Sequence, residues 1–489
     1  MSDKTGISWS DATWNPIIGC TKVSPGCDHC YPIPLSRIRE KNPNPKVAAA
    51  FAGVVEQTES GLDWTGRVNL LPERLDQPLR WRKPRRVFVN SLADLFHEAV
   101  PDQFIAKVFA VMALAPQHSF QVLSKRHARM RSLLANPEFP HAVARAMDAV
   151  QVDLEHDPAE LWKPIPGLEG YEASSHGRVR GETGLLATCI NPRSGRETVT
   201  LWNRGEPKTL TVHRLVLTAH SADDQPGAEV CHRNGDKRDN RLANLRWGTR
   251  SENQREKVRH GSRGGPQKLT PAEVEEIRAA RRTGLTQQAL ADRFGISRSL
   301  VSLIESGRVW SGPDIPWPLP NVWIGVSCEN QQWADIRIPA LLETPAAVRW
   351  ISAEPLLGPI ILRDDWLGAD PYRRDEPSLN WVVAGGESGP GARPMHPKWV
   401  KDLRDQCQQA GVAYHFKQWG EWRPQPRYST DDRHHLVMLN GMDRGTPWPG
   451  WGLDQPEAEV MERVGKKRAG RELDGRTWDE FPQEVAVHG

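Results

Sequence analysis

Phe120-Gln121-Val122-Leu123-Ser124-Lys125-Arg126 and Asn321-Val322-Trp323-Ile324-Gly325-Val326-Ser327 are two apolar runs of one kind, closed by polar residues and about 200 residues apart. That interval decides the fold. Four more runs share the form: Arg86-Val87-Phe88-Val89-Asn90-Ser91 before it, then Val348-Arg349-Trp350-Ile351-Ser352-Ala353-Glu354, Trp381-Val382-Val383-Ala384-Gly385-Gly386-Glu387 and Ala413-Tyr414-His415-Phe416-Lys417-Gln418 after it. Elsewhere successive starts are roughly 27 to 33 residues apart, the length of one strand–helix unit. Removing roughly 160 residues from the long interval restores the rhythm. The reading is α/β: a six-stranded partial β/α barrel, split by a domain inserted in an exposed loop, where insertions are tolerated.

The boundaries follow: host barrel at 1–150 and 313–425, an insert at 160–262, a small helical domain at 266–310, and an extension at 426–489 to which the sequence gives no role. Every strand of the host ends in polar groups, among them Asn90, Lys125, Glu329, Glu354, Glu387 and Lys417. In a β/α barrel the carboxyl ends of the strands form the active face.

The chain has 489 residues, 38% hydrophobic and 26% charged, enough for two to four soluble domains. No apolar run approaches a membrane span, and the first residues lack a signal pattern, so a cytoplasmic protein without membrane association is expected. Net charge is +3. Residues 161–312 carry roughly +8 and the remainder about −5, which points to a nucleic-acid-binding module in a chain with another task. Twenty Trp are present, many beside Pro or Gly, as in Trp14-Asn15-Pro16 and Trp448-Pro449-Gly450-Trp451. They read as anchors for long loops.

Seven cysteines, an odd number, argue against a disulfide framework. Cys20, Cys27 and Cys30 are spaced C-x6-C-x2-C, and Gly19, Pro25 and Gly26 let the backbone turn the three sulfurs toward one point. Three thiolates with one open position suit a four-iron cluster. A zinc site closed by His29 or a remote cysteine is the alternative.

A six-stranded barrel with a cysteine triplet on its first loop resembles the radical S-adenosylmethionine enzymes. The resemblance implies a 4Fe-4S cluster on Cys20, Cys27 and Cys30, S-adenosylmethionine as cofactor, and Gly385-Gly386-Glu387 as the element that holds the cofactor's amino group. The usual spacing is C-x3-C-x2-C, and the Gly-Gly-Glu element usually lies on an early strand, so this chain departs on both counts. Trp14-Asn15-Pro16, the cysteine loop, Asn90-Ser91-Leu92-Ala93-Asp94-Leu95-Phe96-His97, Ser352-Ala353-Glu354-Pro355-Leu356-Leu357-Gly358, Gly385-Gly386-Glu387-Ser388-Gly389 and Phe416-Lys417-Gln418-Trp419-Gly420 are similar to an uncharacterised phage and bacterial family named for its three-cysteine motif. That family supplies no reaction and no partner protein for the host.

The insert opens on Trp162-Lys163-Pro164-Ile165-Pro166-Gly167, and the segments 198–203 and 208–213 alternate as a hairpin would. Its chemistry begins at His213-Arg214-Leu215-Val216. It centres on Glu229-Val230-Cys231-His232-Arg233-Asn234-Gly235-Asp236, continues through Asn240 and Asn244 to Trp247, and closes at Ser251-Glu252-Asn253. A strand carrying His, a Gly-Asp turn and a short helix carrying Asn fit a ββα-metal nuclease site. Phosphodiester cleavage needs a base for water and a metal for the developing charge. A neutral imidazole can be that base, and an amide oxygen can orient it or bind a hard cation.

The stretch resembles the HNH homing endonucleases, and its start resembles the small β module that precedes them. The resemblance implies double-stranded DNA as partner, Mg or Mn as metal, His232 as general base, Asn244 at the middle of the motif and Asn253 as metal ligand. Family members commonly have Asp or Asn before the base; this chain has Cys231, a soft ligand.

Lys268 to Arg282 reads as a helix, and Thr286 to Ile304 resembles a helix-turn-helix with Thr286 and Ser297 as N-caps and Gly295 at the turn. Arg298, Ser299 and Ser302 would face the major groove, with Arg281, Arg282 and Arg293 supplying positive charge. A three-helix protein-binding unit is the bland alternative. No splicing junction stands near Ser311, so the insert is expected to stay in the chain. For the whole protein, the competing reading is a DNA-binding protein with an inactive nuclease and a structural zinc or scaffold barrel.

Overall fold

The computed structural model describes residues 5–156, 159–203, 205–221, 227–260, 269, 271–305, 315–373, 375–425, 433–440 and 458–482. The chain forms two compact units, Met1–Asn136 with Pro316–Gly489, and Pro137–Ile315.

The host unit is built on one parallel half-barrel sheet of seven strands: β1 (Ala12–Trp14), β2 (Arg86–Val89), β3 (Ser119–Ser124), β4 (Val322–Ser327), β5 (Val348–Ala353), β6 (Trp381–Gly385) and β7 (Ala413–Gln418), paired in that order. The six expected strands are all present. The seventh, β1, corrects the count: three residues are too few to show a pattern, yet Ala12, Thr13 and Trp14 pair in register with Val87, Phe88 and Val89. Helices Asp102–Leu114, Gln331–Leu342 and Pro397–Ala410 make crossovers.

β3 and β4 pair directly, Phe120 against Val322 through Ser124 against Val326, so the sheet closes across the interruption. The ends of the interrupting segment are also drawn together, because Trp317 Nε1 donates to Leu134 O at 3.3 Å and its ring packs 5.8 Å from Phe109.

Alternation along the strands puts Phe88, Trp323, Trp350 and Trp381 on one face, where they cluster with Trp9 and Phe481. Trp9 lies 5.3 Å from Trp350, Trp350 is 5.2 Å from Trp381, and Trp381 is 5.3 Å from Phe481. Trp14, expected to anchor a loop, instead ends strand β1 and is fully buried. Trp448 and Trp451 lie outside the described residues. Phe481 arrives on a tail that pairs antiparallel with the edge strand, His415 bridging Asp479 and Phe416 N donating to Trp478 O at 2.9 Å. The extension thus covers an edge that would otherwise expose unpaired backbone groups.

The second unit takes in helix Glu138–Glu155, most of which the sequence reading gave to the host segment 1–150. It holds small antiparallel sheets, the hairpin Glu197–Asn203/Glu206–Thr211, helix Val212–His220, the strand pair Glu229–His232/Leu245–Gly248 and helix Arg250–Arg259 around an apolar core. The hairpin's second strand ends at Thr211, so Val212 and His213 open a helix rather than close a strand. Three helices, Pro271–Arg282, Gln287–Phe294 and Arg298–Glu305, close on Leu269, Val274, Ile277, Leu290, Val301 and Ile304. The Thr286 hydroxyl caps as expected, accepting from Ala289 N at 3.2 Å, and Gly295 takes the left-handed turn with φ of 61°. Residues 261–268 and 306–314 lie outside the described residues.

Among the described residues no helix is long and apolar enough to cross a membrane. A Cβ on Gly325 would lie 2.5 Å from the Trp350 ring, in the middle of the aromatic core. Gly325→Val should therefore destabilise the host unit by about 1–3 kcal/mol through overpacking, read as a lower denaturant midpoint, while Gly6→Ala, with open space around it and no positive φ, should cost less.

Candidate active sites

In the inserted unit, strand Glu229–His232 delivers its last residue into a buried position. His232 is 7% exposed, and its Nε2 has no hydrogen-bond partner. The ring packs 5.2 Å from that of His213, on the neighbouring helix Val212–His220. Burial, then the positive charge of Arg196, pushes His232 down to about 4, against weaker upward pulls from Asn240, Asp236 and Asp239. Burial and Arg196 also push His213 down to about 3. Both imidazoles are therefore neutral at physiological pH, as a proton-accepting base requires.

Asn244 is fully buried and spans the turn: its Oδ1 accepts from Asn234 N at 2.9 Å and its Nδ2 donates to Asp239 O at 2.7 Å. It holds the loop that follows His232. Asn253, on helix Arg250–Arg259, donates through Nδ2 to the Glu229 carboxylate. Those amide and carboxylate oxygens are hard donors that suit Mg or Mn. Cys231 does not suit them: burial, then Glu256, pushes its thiol up to about 11, so it stays protonated. Among the described residues no cluster of three or more His, Cys, Asp or Glu is arranged to hold a metal ion.

The three-helix segment presents Arg298, Ser299 and Ser302 on the exposed side of its last helix. Arg298 Nε reaches Gln287 Oε1 at 3.4 Å. Arg281 and Arg293 are committed within the fold, to Glu305 at 2.8 Å and to Glu276. The Arg282 side chain lies outside the described residues.

In the host unit the cysteine loop lies against the carboxyl ends of the strands. Asp94, after β2, accepts from Ser124 Oγ at 2.9 Å and Lys125 N at 2.9 Å, and pairs with Arg126 at 3.4 Å. Arg126 in turn donates to Thr21 and to Cys20 Sγ, the latter at 3.6 Å. Glu329, after β4, accepts from Ser24 Oγ at 2.7 Å and pairs with Lys125 at 3.2 Å and the fully buried Arg337 at 3.0 Å. Glu387, after β6, is paired with Arg393 at 2.7 Å and His29 at 3.1 Å, and Arg393 also donates to Pro25 O at 2.8 Å and to Asp28 at 3.1 Å. Burial raises Glu329 and Glu387, but these cations outweigh it and hold both below the usual carboxylate range.

Cys30 and Cys20 are both held as thiols. Burial, then Cys27 and Cys20, pushes Cys30 up to about 12; burial and Asp94, opposed by Arg126, push Cys20 up to about 11. Cys20, Cys27 and Cys30 are all among the described residues, and as they stand they are not gathered into a group that could hold a metal ion, contrary to the expectation that the loop turns the three sulfurs toward one point. Gly385 and Gly386 have packing reasons to be glycine: a Cβ would lie 2.8 Å from Glu354 Oε1 and 2.0 Å from Trp419 O respectively. Glu387, expected to hold a cofactor's amino group, instead has protein cations in that role.

Strand-end carboxylates were visible in the sequence. Their partners Arg337 and Arg393 were not, because they lie on crossovers without a motif. Arg196 was missed because it precedes a hairpin outside the nuclease motif, and Asn240 stood within the motif stretch without a role.

Comparison with known proteins places two matches on this chain. A family described as "Protein of unknown function (DUF5131)" matches residues 4–163 and 272–482, and "HNH endonuclease" matches residues 211–255. DNA endonuclease I-HmuI of Bacillus phage SP01 is 34% identical over 103 residues, which are 21% of this chain and 59% of that protein. An uncharacterized HNH endonuclease, L247, of Acanthamoeba polyphaga mimivirus is 36% identical over 104 residues, 19% of this chain and 25% of that protein. The chain therefore spans about three fifths and one quarter of these relatives. A solved structure titled for DNA binding and cleavage by the HNH homing endonuclease I-HmuI aligns at 25% identity over 30% of this chain and 90% of that one, with a TM-score of 0.20.

An imidazole held low in the folded state binds protons more readily when unfolded. Stability of the inserted unit should therefore fall as pH drops below about 6.5, toward the folded values of about 4 and about 3. At pH 5 the loss should be about 2 kcal/mol per histidine. Thermal melts from pH 7.5 to 4.5 should show the slope, and His213→Asn should flatten it.

Proposed function

Because the chain belongs to the DUF5131 family, whose function is unknown, and carries an HNH endonuclease domain inside it, we propose that its assignable activity is metal-dependent, site-specific cleavage of double-stranded DNA of the homing type. The observation that carries this reading is the free, buried Nε2 of the neutral His232. His232 takes the proton of the attacking water, Asn244 keeps the following loop in place, and Asn253 with Glu229 offers oxygen ligands. A divalent cation, when bound, supplies neutralisation of the phosphate's charge. The last helix of the three-helix segment reads base edges through Arg298, Ser299 and Ser302, and basic residues contact phosphates.

Supercoiled plasmid incubated with Mg²⁺ or Mn²⁺ should be nicked or linearised. His232→Ala should lower the rate by at least about 100-fold while leaving DNA retention unchanged. A wild-type protein that retains DNA but cuts none of a broad plasmid set would establish the non-cleaving binder instead.

For the host half-barrel we propose a metal centre on Cys20, Cys27 and Cys30, assembled on metal binding and supported by their spacing on one loop and by the three ion-paired carboxylates that hold that loop. The radical-enzyme resemblance favours an iron–sulfur cluster with S-adenosylmethionine, in which Gly385, Gly386 and Glu387 border the cofactor; a closed zinc site competes. Anaerobic reconstitution should give a broad iron–sulfide absorption band that Cys27→Ala abolishes. One tightly held zinc with no iron would eliminate the cluster.

A further inference from the structure

Arg196 immediately precedes the hairpin strand Glu197–Asn203 and lies 15 residues before the segment that matches the HNH endonuclease family, which begins at residue 211. The turn before it is fixed, because Asn191 N donates to Arg196 O at 2.9 Å and Asn191 Oδ1 accepts from Arg193 N and Ser194 N at 3.0 and 3.1 Å. The same hairpin reaches the nuclease loop through Glu197, whose carboxylate accepts from Asn240 Nδ2 at 2.7 Å. Arg196 Nη1 donates to His213 Nε2 at 3.2 Å, and His213 packs against His232.

The fold does not balance the charge of Arg196. In the same unit Arg178, Arg180, Arg233, Arg241 and Arg246 each meet a carboxylate. Among the described residues Arg196 has no carboxylate within ion-pair distance; its neighbours are two neutral imidazoles. A half-buried guanidinium without a counter-charge has an unfilled requirement for an anion, and four of its five N–H donors remain after the bond to His213. The anion that must come to His232 is a phosphodiester, and a guanidinium fork matches its oxygens.

We infer that Arg196 is a catalytic residue of the inserted nuclease, binding the scissile phosphate and stabilising the charge that builds on it. The inference rests on the nuclease reading of this unit. During hydrolysis the water oxygen bonds to phosphorus, its proton passes to His232 Nε2, the bond from phosphorus to the leaving sugar oxygen breaks, and that oxygen takes a proton from solvent. Arg196 exchanges no proton; its fork holds the non-bridging oxygens, whose charge is greatest between attack and departure. Its bond to His213 fixes the direction of the fork.

Single-turnover cleavage of supercoiled plasmid with Mn²⁺ tests this on the full chain, comparing wild type, His232→Ala, Arg196→Gln and Arg196→Lys. Glutamine retains an N–H donor for His213 but no charge, so it separates folding from phosphate binding. Arg196→Gln should slow cleavage about 100- to 1000-fold while DNA affinity in EDTA changes less than about threefold, and Arg196→Lys, which keeps the charge without the fork, should recover part of the loss. Wild type cutting and Arg196→Gln cutting within about threefold of it would overturn the inference and leave the nuclease reading intact. So would a loss of cleavage matched by an equal loss of DNA affinity or of thermal stability. Wild-type protein that binds plasmid without cutting it would overturn both.

Discussion

Three carboxylates at the ends of parallel strands organise the host half-barrel. Asp94, Glu329 and Glu387 follow β2, β4 and β6, and each draws a cation toward the loop that carries the cysteines. The cost of burying Glu329 and Arg337 together is large, and it is offset in part by Ser24 and Lys125 on the carboxylate and by the Ser327 carbonyl on Arg337 Nη1, while Arg337 Nε and Nη2 are buried without a hydrogen-bond partner. One clamp comes from the chain before the interruption and two from the chain after it. The thiols are therefore placed by both halves of the host at once, and neither half could place them alone.

Much of the architecture could be read from residue order. Apolar runs closed by polar residues repeated at the spacing of a strand–helix unit, so the six longer strands and the interruption followed from burial and chain length. Capping at Thr286 and Ser297 followed from local hydrogen bonding, which depends on a few neighbouring residues. What escaped was set by contacts between distant residues. β1 is a strand because Arg86–Val89 offers it an edge, and the tail around Trp478 to Phe481 gains its role from β7. Trp14 looked like a loop anchor because Asn15 and Pro16 follow it; pairing with Val89 made it a buried strand residue.

The candidate nuclease site divides in the same way. His232, Asn244 and Asn253 lie within a compact motif and could be found by pattern. The electrostatic setting of His232 could not, since it comes from burial and from Arg196, 36 positions upstream of His232, on a hairpin outside the nuclease motif. Cys231 shows the opposite case. Its identity was plain in the sequence, but that it stays a protonated thiol beside Glu256 depends on burial. The three-helix segment spends two of its expected phosphate-facing arginines on internal ion pairs, which leaves Arg298 and the serines of the last helix as its outward chemistry.

The pairing of β3 with β4 has a consequence during synthesis. A ribosome delivers Ser119–Ser124 and must then add roughly 200 further residues before the neighbouring strand appears, about 10–40 s of elongation. Throughout that time the nascent half-sheet exposes a bare edge, the kind of surface that recruits wrong partners. The intervening unit has its own core and can fold while it waits, which shortens the slack chain between the two edges. An insertion of this size is thus compatible with its host to the extent that it folds quickly and returns its ends to one place.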